Sequence, residues 1–258
     1  MYKNFGIVKG VGFDSGRRVG AALPAVRVYN LRDVDELIIL DIAATVQRRP
    51  IALSVVESLA AECSVPLTFG GGIETLAQIQ DLLAAGVDKV CINSAAYMNP
   101  GLIEQASGRF GSQCVVVSID VRRDASGRYV CYSHAGREHR QVDVVAWARR
   151  VRDLGAGELL VTSIERDGTM SGYDLELIRA VVDAVDIPVI AGGGAGSYHD
   201  FLLALREAGA AAVAAGSMFH FTEQTPNEAK RYLAEAGVAV RHARWGARTG
   251  PAASKACS

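Results

Sequence analysis

Short apolar runs rich in β-branched residues alternate along this chain with longer amphipathic stretches. The runs cover 37–42, 66–69, 88–92, 114–119, 158–163, 188–191 and 211–215. They are almost continuously apolar rather than alternating, which is the pattern of parallel strands covered on both faces. Between them a helical periodicity predicts helices near 22–32, 51–62, 74–85, 99–109, 142–154, 174–185 and 197–208, with a last one near 226–236. Pro100 suits a first helical turn, and Arg128–Tyr132 reads as part of a hairpin. Strand–helix alternation over this length means a (β/α)8 barrel or a doubly wound sheet.

An internal repeat favours the barrel. Pro66-Leu67-Thr68-Phe69-Gly70-Gly71-Gly72-Ile73 returns 122 residues later as Pro188-Val189-Ile190-Ala191-Gly192-Gly193-Gly194-Ala195. Each copy is a strand ending in a glycine triplet. Each leads through a helix to a second strand with a small polar end, Val90-Cys91-Ile92-Asn93-Ser94 and Val213-Ala214-Ala215-Gly216-Ser217. Upstream, Asp35–Ile42 matches Gly157–Ile164 at the same spacing. The expected organisation is a (β/α)8 (TIM) barrel over 1–241, made of half-barrels of about 1–112 and 113–241, with a disordered tail over 242–258. The repeat also predicts a strand this chain does not contain. Glu158 stands 38 residues after Asp120, and the same distance back from Glu36 passes Met1. The first strand is therefore expected to be missing, as in a truncated gene or a start assigned too late.

Composition narrows the class. Half the residues are hydrophobic, enough for a large core, and 27 basic against 28 acidic residues leave a net charge of −1. That balance gives no reason to expect nucleic acid or a membrane as partner. Cys63, Cys91, Cys114, Cys131 and Cys257 follow no metal spacing; three lie in apolar β-runs, where buried reduced thiols are expected, and no metal or other cofactor is expected. There is no signal-peptide pattern and no apolar run of membrane length, so a cytoplasmic location is expected.

Barrel chemistry sits at the C-terminal ends of the strands, where both glycine triplets fall. Without Cβ atoms, Gly70, Gly71 and Gly72, and likewise Gly192, Gly193 and Gly194, let backbone amides converge on an anion. Asn93 with Ser94, and Gly216 with Ser217, would complete two cradles. Tight strand–helix turns are the structural alternative. Two cradles imply a substrate with a phosphate at each end. Asp120 closes an apolar strand and suits general acid/base work; Asp41 closes another. Asp167 lies on a loop with an ordinary Asp-Gly turn signature. Glu36, Lys89 and Glu158 fall at strand beginnings, where charges need partners. An ion-pair ring closing the barrel is the structural reading and a gated axial passage the functional one. His134 and His139 read as members of a solvated loop.

Phe110–Asp120, Gly155-Ala156-Gly157-Glu158, Thr162–Thr169 and Gly172-Tyr173-Asp174 resemble the cyclase subunit of imidazole glycerol phosphate synthase, and the resemblance runs from about Lys3 to Arg241. It implies a (β/α)8 barrel paired, as a heterodimer, with a class I glutaminase subunit. Ammonia from that partner would enter at the barrel bottom, cross the core and attack a bis-phosphorylated ribulosyl aminoimidazole carboxamide nucleotide. The products would be imidazole glycerol phosphate and aminoimidazole carboxamide ribotide, a lyase reaction of histidine biosynthesis. The family's second catalytic aspartate falls on Asp120, its loop lysine on Lys9 and its active-site loop aspartate on Asp167. Its ammonia gate falls on Glu36, Lys89 and Glu158, and a subunit-interface aspartate on Asp88.

Two positions depart from the pattern. The first catalytic aspartate would fall on Met1, and a gate arginine of the same strand is absent. Lys3–Lys9 is closer to a paralogous branch that works beside an amidotransferase in making amidino-modified surface sugars. The expected function is the cyclase; the alternatives are that ammonia-delivering paralogue, the sister isomerase of the same pathway, and a non-catalytic scaffold.

Overall fold

A computed structural model describes residues 1–3, 6–14 and 17–241; the tail expected over 242–258 lies outside the described residues. Seven parallel strands curl in the order β12-β11-β10-β7-β6-β5-β4. They are β4 (Leu37–Leu40), β5 (Leu67–Gly70), β6 (Lys89–Ile92), β7 (Val115–Arg123), β10 (Glu158–Ser163), β11 (Val189–Gly192) and β12 (Ala212–Val213). Helices alternate with them, as in a (β/α)8 barrel, and all eight predicted amphipathic segments are helical. The strand after β7 turns back as an antiparallel hairpin, β8 (Tyr129–Ser133) with β9 (Glu138–Asp143). No helix of the described residues is long and apolar enough to cross a membrane.

The two-residue period of a strand sorts its side chains between helices and barrel axis. On β7, Val115, Val117 and Ile119 pack into the main core beneath the helices. Val116 instead joins Cys91, Leu160 and Ile190 in a second cluster, completed by Ile38, Leu40 and Ala214. This second cluster fills the axis. The same register carries the axial face from Lys89 to Cys91 and Asn93, from Val116 to Ser118 and Asp120, and from Glu158 to Leu160 and Thr162. Charged residues thus open the rows of β6 and β10, apolar Cys91, Val116 and Leu160 form the layer above them, and all three rows end in polar residues.

The half-barrel repeat is visible in the helix starts. Thr75 caps the helix Leu76–Ala84 in a reciprocal box with Gln78, and 122 residues on Ser197 caps Tyr198–Arg206 in the same box with Asp200. Each box satisfies orphan amides directly after a glycine triplet and fixes where the strand–helix turn ends.

The N-terminus differs from the sequence expectation. Before the helix Ala22–Leu31 there is a small antiparallel sheet of β1 (Tyr2–Lys3), β2 (Gly6–Lys9) and β3 (Arg17–Ala21). Among the described residues β12 and β4 are the two edges of the parallel sheet, with no strand paired between them. Tyr2 lies beside the end of β4: it forms a parallel bridge to Asp41, and the Ile42 amide donates to its carbonyl at 3.2 Å.

Candidate active site

A cavity of about 870 Å3 opens at the C-terminal ends of the strands. Asp120, Lys9, Asp167, Asn93, Ser94, Gly71, Gly72, Gly192, Gly193, Gly194, Gly216 and Ser217 all line it. Gly70 does not: it is the last residue of β5, paired with Leu40 and Cys91, and a Cβ there would press on the Cys91 carbonyl at 2.6 Å. Its glycine serves strand packing.

The glycine turns are shaped by close backbone approach. Gly71 has φ +103°, and a Cβ on it would land on the Asp41 carbonyl oxygen. Gly193 has φ +79°, and a Cβ would meet the Ser163 carbonyl at 2.8 Å. Both turns therefore need glycine for their own geometry as well as for any anion. Gly72 gives its amide to the Thr45 hydroxyl at 3.1 Å, so the 41–50 loop is built against the first turn.

Asp120 lies on β7, between the strands that lead into the two turns. The Asn93 amide donates to its Oδ2 at 3.0 Å and the Ser118 hydroxyl to its Oδ1 at 3.1 Å. Asn93 also reaches the Ser118 carbonyl at 3.2 Å; in this arrangement it positions the carboxyl. Burial pushes the Asp120 carboxyl up to about 7; the Ser118 hydrogen bond opposes the rise and the Asp167 charge adds to it. Asp167 is raised by burial too, against the pull of Lys9, and its Oδ2 is buried without a hydrogen-bond partner. Burial lowers the Lys9 ammonium, with Asp167 pulling it back. That ammonium lies against the Gly216 backbone, where it would strike a Cβ. Lys9 thus stands beside the Gly216–Ser217 turn.

Two wall residues, Asp41 and His134, were not assigned a functional role from sequence. Asp41 accepts the amides of Ala43 and Ala44 on Oδ1 at 3.0 and 3.1 Å and pairs through Oδ2 with Arg49 at 2.6 Å. Its position at a strand end was the available signal. His134, expected in a solvated loop, is instead half-buried on the cavity wall. Its amide donates to the Ser94 hydroxyl at 3.1 Å, and its Nδ1 lies 3.1 Å from Glu138. The hairpin turns back over the cavity, which the polarity of the segment could not reveal. His139 is exposed.

At the other end of the axial rows Lys89 holds both predicted partners, Glu158 at 2.7 Å and Glu36 at 2.9 Å. Burial works against the charged amine, but the two carboxylates overcome it and raise its pKa. Asp88, exposed nearby, accepts the Leu67 amide at 2.8 Å. Among the described residues no cluster of side chains could hold a metal ion.

Fold and site together define a barrel of two half-barrel repeats, with paired glycine turns and buried carboxyls at one end and an ion-pair ring at the other. Residues 3–225 match the family described as histidine biosynthesis protein, and the chain belongs to that family. The family comprises isomerase- and cyclase-type enzymes of histidine biosynthesis.

Proposed function

We propose that this chain is an ammonia-dependent cyclase of the imidazole glycerol phosphate synthase type. One observation carries the reading: a single axial face joins the Glu36–Lys89–Glu158 ring to Asp120, the buried carboxyl between two glycine cradles. A ligand with a phosphate at each end spans the cradles, and its middle lies over Asp120. With its pKa near 7, Asp120 is poised both to protonate a carbonyl oxygen of the ribulosyl chain and to take a proton from adding ammonia. Lys9 neutralises the phosphate at the second cradle. The ring faces the glutaminase partner and passes ammonia into the barrel, and Asp88 lies on that docking face.

The test supplies ammonium salt and the ribulosyl nucleotide and follows nucleotide loss. Turnover that Asp120→Asn lowers about 10²–10⁴-fold supports the reading; turnover unaffected by that change contradicts it.

A second reading rests on Met1, which lines the cavity where the resemblance expects the other catalytic aspartate. A thioether moves no proton. In this reading the barrel hands ammonia to a surface-sugar amidotransferase. Its signature is a stable complex with the glutaminase and no loss of the ribulosyl nucleotide.

A further inference from the structure

The two cradles differ in their cations. At the second, Lys9 comes from β2 and lies against Gly216. At the first, the only cation with a half-buried side chain on the 41–50 loop is Arg49; its neighbour Arg48 is exposed. Both line the cavity together with Thr45, Gly71 and Gly72.

The loop is built to present Arg49. Asp41 caps the turn that follows β4 through Oδ1, leaving only Oδ2 for a cation. Arg48 then adopts a left-handed conformation, φ 49° and ψ 41°, that ends the short helix Ala44–Gln47 and reverses the chain. The Arg49 amide bonds the Ala44 carbonyl at 2.9 Å, and its Nη2 returns to Asp41 Oδ2 at 2.6 Å. The pair is therefore one-pronged. A guanidinium carries five donors in a planar fork suited to carboxylate or phosphate. Here Asp41 occupies one nitrogen, and the Nε is buried with no hydrogen-bond partner. The side chain is held by one corner, with donors to spare, on the wall that carries the first glycine turn.

We infer that Arg49 is the phosphate-binding cation of the first cradle and that Asp41 is its positioning residue. The inference rests on reading that cradle as a phosphate site. The internal repeat supports a division of labour: the counterpart of Arg49 at the 122-residue spacing is Ser171, so the second half has no arginine there and takes Lys9 instead. Arg49 then determines whether a ligand's second phosphate is rewarded.

The experiment uses calorimetric titration of the full chain with two probes, the bis-phosphorylated ribulosyl nucleotide and inorganic phosphate. Arg49→Gln is expected to weaken the nucleotide about 10–100-fold, the size of a lost charge-assisted contact, and to make binding less salt-dependent. Because that variant leaves the buried Asp41 carboxylate without its cation, it risks misfolding. The neutral pair Asp41→Asn with Arg49→Gln removes that problem and is expected to show the same loss with near-normal thermal stability. Wild-type affinity in the folded double variant would overturn the inference, since Arg49 would then only neutralise Asp41. If wild type and both variants bind the nucleotide equally, the Arg49 assignment falls and the substrate assignment stands. If wild type ignores the nucleotide but the variants weaken inorganic phosphate, the substrate assignment falls and Arg49 stands. Binding of neither probe by wild type would overturn both.

Discussion

At the scale of single residues, Asp120 carries the sharpest consequence of burial. Its carboxyl titrates near 7 in the fold against about 4 in an unfolded chain. The folded state holds the proton more tightly. Its contribution to stability is therefore fully present below about pH 4 and is lost as pH rises towards 7. Asp120→Asn keeps the shape of the side chain without the charge. It is expected to raise unfolding stability at pH 8 by on the order of 2–4 kcal/mol and to change it little at pH 4. Denaturant titrations at the two pH values check this, and equal effects at both would show that ionisation is not the cause. Asp120 could be singled out in the sequence because a carboxylate closing an apolar strand is conspicuous. Its positioning by Asn93 was not visible there: Asn93 reads as a cradle residue, and only the neighbouring ends of β6 and β7 bring its amide to the Asp120 carboxyl.

At the scale of elements, the 122-residue repeat makes both glycine turns and the strands around them legible in the sequence. What the repeat cannot separate is packing from binding. Gly71→Ala would drive a Cβ into the Asp41 carbonyl at a positive φ, so it should cost more than ~2 kcal/mol of stability and is a poor probe of ligand binding. Ser217, which opens the short helix Ser217–Phe221 on the cavity wall, is the cleaner probe. Ser217→Ala should weaken a phosphorylated ligand about 2–10-fold with the melting temperature unchanged; a melting shift without an affinity change would make the hydroxyl structural. The ring is legible for a different reason, since charges at the starts of apolar strands must find one another. Lys89→Met would leave Glu36 and Glu158 without their shared cation. On the proposed function it should lower glutamine-driven turnover in the glutaminase complex and spare turnover driven by ammonium salt. An equal loss in both assays would place Lys89 in folding rather than in ammonia passage. The β1–β3 sheet is hidden in the sequence because its strands are short, glycine-bearing and basic, and β3 is largely solvent-facing. Arg49 is hidden because its return to Asp41 depends on the left-handed turn at Arg48, a conformation that arginine does not announce.

At the scale of the molecule, the open seam between β12 and β4 decides how the barrel holds together. Among the described residues no strand ladder links the two edges, and side chains carry much of the connection. The buried Lys230, on the helix Pro226–Glu235 that follows β12, donates to the Asp33 carbonyl, approaches Asp33 Oδ2 at 3.4 Å and pairs with Asp35 at 2.8 Å. Arg241 adds ion pairs to Asp35 at 2.6 Å and Asp33 at 3.2 Å. Asp33 and Asp35 directly precede β4, so this cluster joins the last described elements to the start of the sheet. Higher up, the Tyr29 hydroxyl and His220 Nε2 lie 3.0 Å apart across the same seam, and desolvation lowers the His220 pKa to about 4, which keeps the ring neutral near pH 7. A sheet fastened in this way should open from its edges. Amides of β7 and β10, central and almost wholly buried, should exchange most slowly, and those of β4 and β12 fastest among the parallel strands. Lys230→Met removes the buried cation shared by Asp33 and Asp35, a change expected to cost about 2–4 kcal/mol. The loss should speed exchange at β4 and β12 well before it reaches β7 and β10. Uniform acceleration of all strands would mean that the seam opens only with global unfolding, and that the barrel behaves as one cooperative unit despite its gap.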